Sequence, residues 1–247
     1  MKRLNLYILL AVSLLFLSSI VYLVQIMVFH KPGETFFYML QDIAFVPIQV
    51  FIVSLIIEQV LNYREKSALL KKMNMLIGAF YSEVGAGLIR HCSRFSSDLT
   101  EMTPHLLITK KWTGRDFEQA RTFAEIANPN LDSRREDLAK IKTFLEAKRN
   151  FLLSLLANPN LLEHEAFTDL LWAVFHLMEE LTSRDRLSDL PETDFEHLSG
   201  DMKRAYIRLL TEWLSYMKHL QQDYPYLFSL AVRMNPMDIN ADPVIKE

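Results

Sequence analysis

Seven histidines and thirty carboxylates are spread along 247 residues, and their spacing decides which of them can act together. His176 and Glu180 stand four apart, as do His219 and Asp223, and that interval puts each pair on one helical face. Glu83 and His91, eight apart, share a face in the same way. Such pairs carry the nitrogen and oxygen donors of a metal site. They are also ordinary surface ion pairs, each worth ~0.2–0.5 kcal/mol. Helical di-iron proteins use paired Glu-x-x-His motifs, and none of these histidines has a glutamate three residues before it. His-Glu-x-x-His is absent too. Asp194-x-x-His197 falls in a polar, proline-containing stretch read as a connection, where helical geometry cannot be assumed.

Cys92 adjoins His91, but neighbouring residues on a helix diverge by ~100°, so the thiol reads as a packing group. No phosphate-binding loop, dinucleotide fingerprint, nucleophile elbow or kinase signature occurs. The expectation is therefore a non-enzyme with no cofactor and no assigned metal ligand. A metal-dependent enzyme built on His176, Glu180 or His91 is the third-ranked reading. Near-neutral charge, −3 in all, argues against nucleic acid as a partner.

A second set of polar residues lies where hydrocarbon is expected. Asp42, Gln41 and Gln49 sit within the apolar run Phe36–Val60, and Gln25 lies at matching depth in the run Leu4–Phe29. A carboxylate in a bilayer costs roughly 2.5–3.5 kcal/mol on insertion scales, so it is sheltered or functional. The favoured reading is a polar clamp in which Gln25 bonds Asp42 or Gln41. The alternative is an ion site in a small oligomeric cation channel lined by the second span. Pro47, between Asp42 and Gln49, frees a backbone carbonyl and predicts a kink.

The elements that carry these residues follow from composition. Residues 1–60 hold three basic residues (Lys2, Arg3, Lys31) and three acids (Glu34, Asp42, Glu58), and the remaining charges lie beyond them. Leu4–Phe29 is free of charge for 26 residues, enough to cross a ~30 Å core. It is too long, and too bulky at its end, for a signal peptide. The turn at His30-Lys31-Pro32-Gly33-Glu34 makes the two spans, about 4–29 and 36–60, a hairpin. Lys2, Arg3, Arg64, Lys66, Lys71 and Lys72 flank one side and Lys31 the other, which predicts both termini in the cytoplasm and a plasma or inner membrane location. A single cysteine allows no intrachain disulfide.

Residues 61–107 carry an apolar stripe of helical period, including Leu69, Met73, Leu76, Phe80, Val84 and Leu88, and predict an amphipathic stalk helix. Gly78 and Gly85, seven apart, mark a face for close helix packing, within the chain or between copies. Residues 108–236 predict about five further helices and 237–247 a tail. Helix starts are expected near Thr113-Gly114, at the capping-box spacing Ser133–Glu136, near Leu161 and near Ser199, with Asp223 capping the last helix. Ala-Asn-Pro-Asn-Leu occurs at both 127–131 and 157–161, two copies being too few for a repeat array.

The fold class is all-α: an N-terminal two-helix transmembrane hairpin, a helical stalk and a cytoplasmic helical bundle. The expected role is a membrane-anchored scaffold or signalling protein. Its expected partners are the lipid bilayer, a second copy through stalk and spans, and a cytoplasmic protein.

Overall fold

A computed structural model describes residues 2–161 and 164–245. The side chains of Lys2 and Arg3, used above for orientation, lie outside the described residues, as do the last two residues of the expected tail. All regular elements among the described residues are helical. One isolated antiparallel bridge, Ser96 to Leu131, joins two loops. The chain divides into two compact units, Met1–Lys66 and Ser67–Glu247.

The first unit contains α1 (Lys2–Phe29) and the start of α2 (Pro32–Phe80). Both are long and apolar enough to cross a membrane, with mean hydropathy of 2.3 and 2.1 over their best 18-residue windows. The turn is tighter than expected. Only His30 and Lys31 separate the helices, because His30 takes a left-handed φ of 53° and Pro32 is already helical. A proline suits a first helical position, where its missing N–H is not needed. Pro47 lies inside α2, which continues through it.

The second unit has a sealed core. The single amphipathic helix expected over 61–107 is not formed. The helix α2 ends at Phe80, a π-helical turn covers Tyr81–Gly85, and α3 (Ala86–Ser93) follows. The chain then leaves helical geometry until α4 (Leu99–Leu106), which runs two residues past Pro104. The break is held by loop hydrogen bonds: Ser97 N–H donates to Asn130 O at 3.1 Å and Asp132 N–H to Phe95 O at 3.1 Å.

Helix α5 (Gly114–Ile126) starts on a capping box made by Thr113 and Asp116. Helix α6 (Leu138–Leu156) starts four residues later than its sequence signal. Asp137 caps it by accepting from Ala139 N–H at 2.9 Å. Ser133 is instead buried, and its hydroxyl donates to Phe195 O at 2.8 Å. A serine near a helix start satisfies whichever acceptor the tertiary fold brings closest, and here that acceptor is 62 residues away.

Helix α7 (Glu165–Thr182) is capped by His164, whose Nδ1 accepts from Phe167 N–H at 3.1 Å. Helix α8 (Glu192–Asp223) begins seven residues before the expected start at Ser199. Tyr224, not Asp223, stands before α9 (Pro225–Arg233), with Pro225 in its first turn. Helix α8 is central, packing on α3, α5, α7 and α9. The Asn-Pro echoes follow the C-termini of α5 and α6, where a residue before proline avoids helical angles.

Candidate functional site

The facing sides of α7 and α8 bring four donor side chains together: His176, Glu180, His197 and Asp201. Each helix contributes one i,i+4 pair, so both members of a pair project from one face. His176 Nε2 lies 3.3 Å from Asp201 Oδ2 and 3.8 Å from Glu180 Oε1. His197 Nε2 lies 3.3 Å from Asp201 Oδ2 and 3.5 Å from Glu180 Oε2. One donor atom from each residue falls within 4.8 Å of all the others.

Burial is uneven across the four. The side chains of both histidines are about half exposed, Glu180 is partly covered, and Asp201 is 3% exposed. Asp201 Oδ1 accepts from Arg204 Nη1 at 3.0 Å. Its Oδ2 is buried without a hydrogen bond, although two imidazole nitrogens approach it, because neither aligns an N–H with it. A buried acceptor left this way costs about 1–3 kcal/mol, and more when charged.

Arg184 completes the surroundings. Its Nη1 donates to Glu180 Oε2 at 2.8 Å, while its Nε and Nη2 hold Asp194 at 2.8 and 2.6 Å. The hydrogen bond from Arg184 holds the Glu180 carboxyl below the usual carboxylate range, against its partial desolvation. Arg184 does the same for Asp194. Arg184, in the connection between α7 and α8, thus ties a carboxylate at the end of α7 to one at the start of α8.

The other pairs marked by spacing do not converge. His219 Nδ1 meets Asp223 Oδ2 at 2.8 Å, with Asn74 Nδ2 3.3 Å from the same nitrogen. Glu83 pairs with Lys148 at 2.8 Å, and His91 packs on the Phe144 ring with centroids 5.0 Å apart. Burial lowers the His91 pKa, and Arg94, Arg90 and Lys140 lower it further. Cys92 is fully buried, which pushes its thiol up to about 12. Trp112 packs edge-on against Phe117, and its carbonyl accepts from Gln221 Nε2 at 2.8 Å.

In the first unit, Tyr22 Oη donates to Asp42 Oδ2 at 3.2 Å. Among the described residues, Gln25, Gln41 and Gln49 make no side-chain hydrogen bond, so the partner of Asp42 is a tyrosine rather than a glutamine. Gly78 faces Tyr216 of α8, whose Oη lies 3.0 Å from where a Cβ would stand. At Gly85 a Cβ would meet the Tyr81 and Phe80 rings, with Cε1 atoms at 2.8 and 2.9 Å.

An apolar cleft of about 670 Å³ opens beside Gly78, lined among others by Tyr81, Trp213, Tyr216, Leu227 and Met234. Trp213 is 5% exposed and its Nε1 lacks a hydrogen-bond partner.

Comparison with known proteins matches both units to one pair of descriptions. Residues 69–233 match "Uncharacterized protein MJ1433, C-terminal helical domain", and residues 2–61 match "MJ1433, N-terminal helical domain". The chain belongs to the MJ1433 family. It is 43% identical over 237 residues to the protein of that name from Methanocaldococcus jannaschii, covering 96% of this chain and 95% of the relative. No solved structure matches. Membership in the MJ1433 family agrees with an all-helical chain of two helical domains. It supplies no ligand.

Two functional candidates escaped the spacing argument. Asp201 was missed, and His197 was weighed only with Asp194, because the start of α8 was placed beyond His197. Pro191 followed by Glu192 and Asp194 is a usable helix-start signal, since acids favour the first turn. Glu212, the other buried carboxylate among the described residues, has its pKa raised by burial and carried no sequence signal.

Proposed function

We propose that this MJ1433-family chain is a two-pass membrane protein that displays a helical interaction domain on the cytoplasmic side. The observation that carries the proposal is the exposure of the first unit: in neither apolar window is any residue buried. Leu15, Phe16, Met27 and Phe29 each keep about two-thirds of their surface open. Soluble monomers rarely show contiguous apolar patches above a few hundred Å². A bilayer removes that surface from water and leaves the backbone satisfied, because each helix bonds internally. The excess of lysine and arginine around the outer ends of the hairpin favours cytoplasmic termini.

Asp42 is read here as a packing clamp, supported by its bond to Tyr22. The apolar cleft with its aromatic lining supports a role in recognition, since aromatic rings supply large contact area at low entropic cost.

The topology has a direct test. Gly33→Cys and Gly114→Cys introduce thiols where an added Cβ meets nothing within 4 Å. Native Cys92 is buried and stays silent. With an impermeant maleimide on intact cells, Gly33→Cys is expected to label and Gly114→Cys to label only after lysis. The protein is expected to remain with membranes through alkaline carbonate washing. Release into the wash, or equal labelling of both variants, would sink the proposal.

A further inference from the structure

The cluster between α7 and α8 presents two nitrogens and two carboxylates to a common centre. Tetrahedral zinc, with bonds of ~2.0–2.2 Å to histidine and carboxylate, has ligand atoms roughly 3.4 Å apart. Asp201 Oδ2 lies 3.3 Å from both imidazole nitrogens, close to that spacing, the two Glu180 oxygens lie 3.8 and 3.5 Å from one imidazole each, and one donor atom from each of the four residues falls within 4.8 Å of the others. A plain ion-pair network would instead align N–H groups on the carboxylate oxygens, and Asp201 Oδ2 receives none. That oxygen is buried, faces both imidazoles and accepts no hydrogen bond, which is the condition of a ligand oxygen awaiting a cation.

We infer that His176, Glu180, His197 and Asp201 bind one divalent first-row transition ion of the zinc class. Mixed imidazole and carboxylate donors suit such ions better than calcium or magnesium, which take oxygen alone. Two carboxylates and two neutral imidazoles balance a double positive charge. Arg184 and Arg204 then serve as outer partners that orient Glu180 and Asp201 by their remaining contacts. With four protein ligands the shell is closed, so the ion clamps α7 to α8 rather than activating water. The exposed histidines give it an entry path from solvent.

The test uses the full chain in mild detergent, stripped with chelator and then titrated with Zn²⁺ or Co²⁺. One equivalent is expected to bind, Co²⁺ with the intense visible bands of tetrahedral coordination. Melting temperature should rise with metal and fall again with chelator. His176→Gln with His197→Gln changes two half-exposed side chains and should leave the helical spectrum intact. It should lower affinity by more than the ~10–100-fold that outer partners contribute. Asp201→Asn should remove the tetrahedral bands as a second, single change. No stoichiometric binding at micromolar metal, or unchanged bands and affinity in the double variant, would overturn the assignment.

Discussion

Leu15, Phe16 and Met27 in the first unit stand open to the surroundings, while Phe80, Leu145 and Phe167 in the second are sealed completely. Both units are helical and rich in the same side chains, so propensity does not separate them. Arrangement does. In the second unit the apolar residues fall on one stripe of each helix and polar residues cover the rest, as solvent on one side demands. In the first unit they surround the helix, which suits a setting that is apolar on every side. The same contrast applies to polar contacts. Tyr22 meets Asp42 across two exposed helices, whereas Tyr81, 1% exposed, donates to Leu209 O at 2.9 Å inside the core.

The contrast breaks or holds on paired substitutions. Phe167→Ala removes a ring that sits edge-on to Phe80 at 5.3 Å and should cost ~3–5 kcal/mol of domain stability. Phe16→Ala should leave domain melting unchanged by circular dichroism. An equal loss from both would abolish the distinction. On the proposed membrane reading, Leu15→Arg should cost about 2.5–3.5 kcal/mol of insertion and shift protein out of the membrane fraction. Trp172→Arg, also at an exposed position, should stay within ~0.5 kcal/mol in unfolding.

Glycine gives the next largest split. Gly85→Ala pushes a methyl onto Tyr81, whose ring is stacked on Tyr216 and tied to Leu209, and should destabilise by ~1–3 kcal/mol. Gly33→Ala meets nothing within 4 Å and should be neutral or favour its helix by up to ~1 kcal/mol. The smallest effect compares hydroxyls. Tyr81→Phe removes a second hydrogen bond from a helical carbonyl in the core, at about 0.5–1.5 kcal/mol. On the proposed membrane reading, Tyr22→Phe should cost roughly 0.6 kcal/mol, the average for such bonds between membrane helices. Chemical denaturation in detergent, run on all four variants, reads both splits.

The helical class was legible because a charge-free run of 26 residues and stripes of helical period are strong, local signals. Helix boundaries were less so where tertiary contacts outbid local ones. Ser133 carries a capping box in sequence and spends its hydroxyl on Phe195 instead. The turn at His30 was overestimated because a histidine in a left-handed conformation leaves no local trace. Half of the candidate site, His176 and Glu180, was visible as an i,i+4 pair. The other half needed α8 to begin at Glu192, and the partnership of the two pairs needed the packing of α7 on α8. Asp42 stood out by its chemistry, yet its partner, Tyr22, is itself amphipathic and raised no signal.

The π-helical turn over Tyr81–Gly85 has a consequence in phase. Met73, Ile77, Tyr81, Gly85 and Ile89 are all buried at steps of four. An unbroken α-helix would rotate the last of them about 160° away from the first. One residue absorbed by a wider turn takes back about 100°, and the five stay within roughly 80°. The turn is therefore a built-in phase corrector: deleting any one residue from it would restore a regular helix and still keep Leu88, Ile89 and Cys92 on the core, whereas straightening it with no residue removed would swing all three off together.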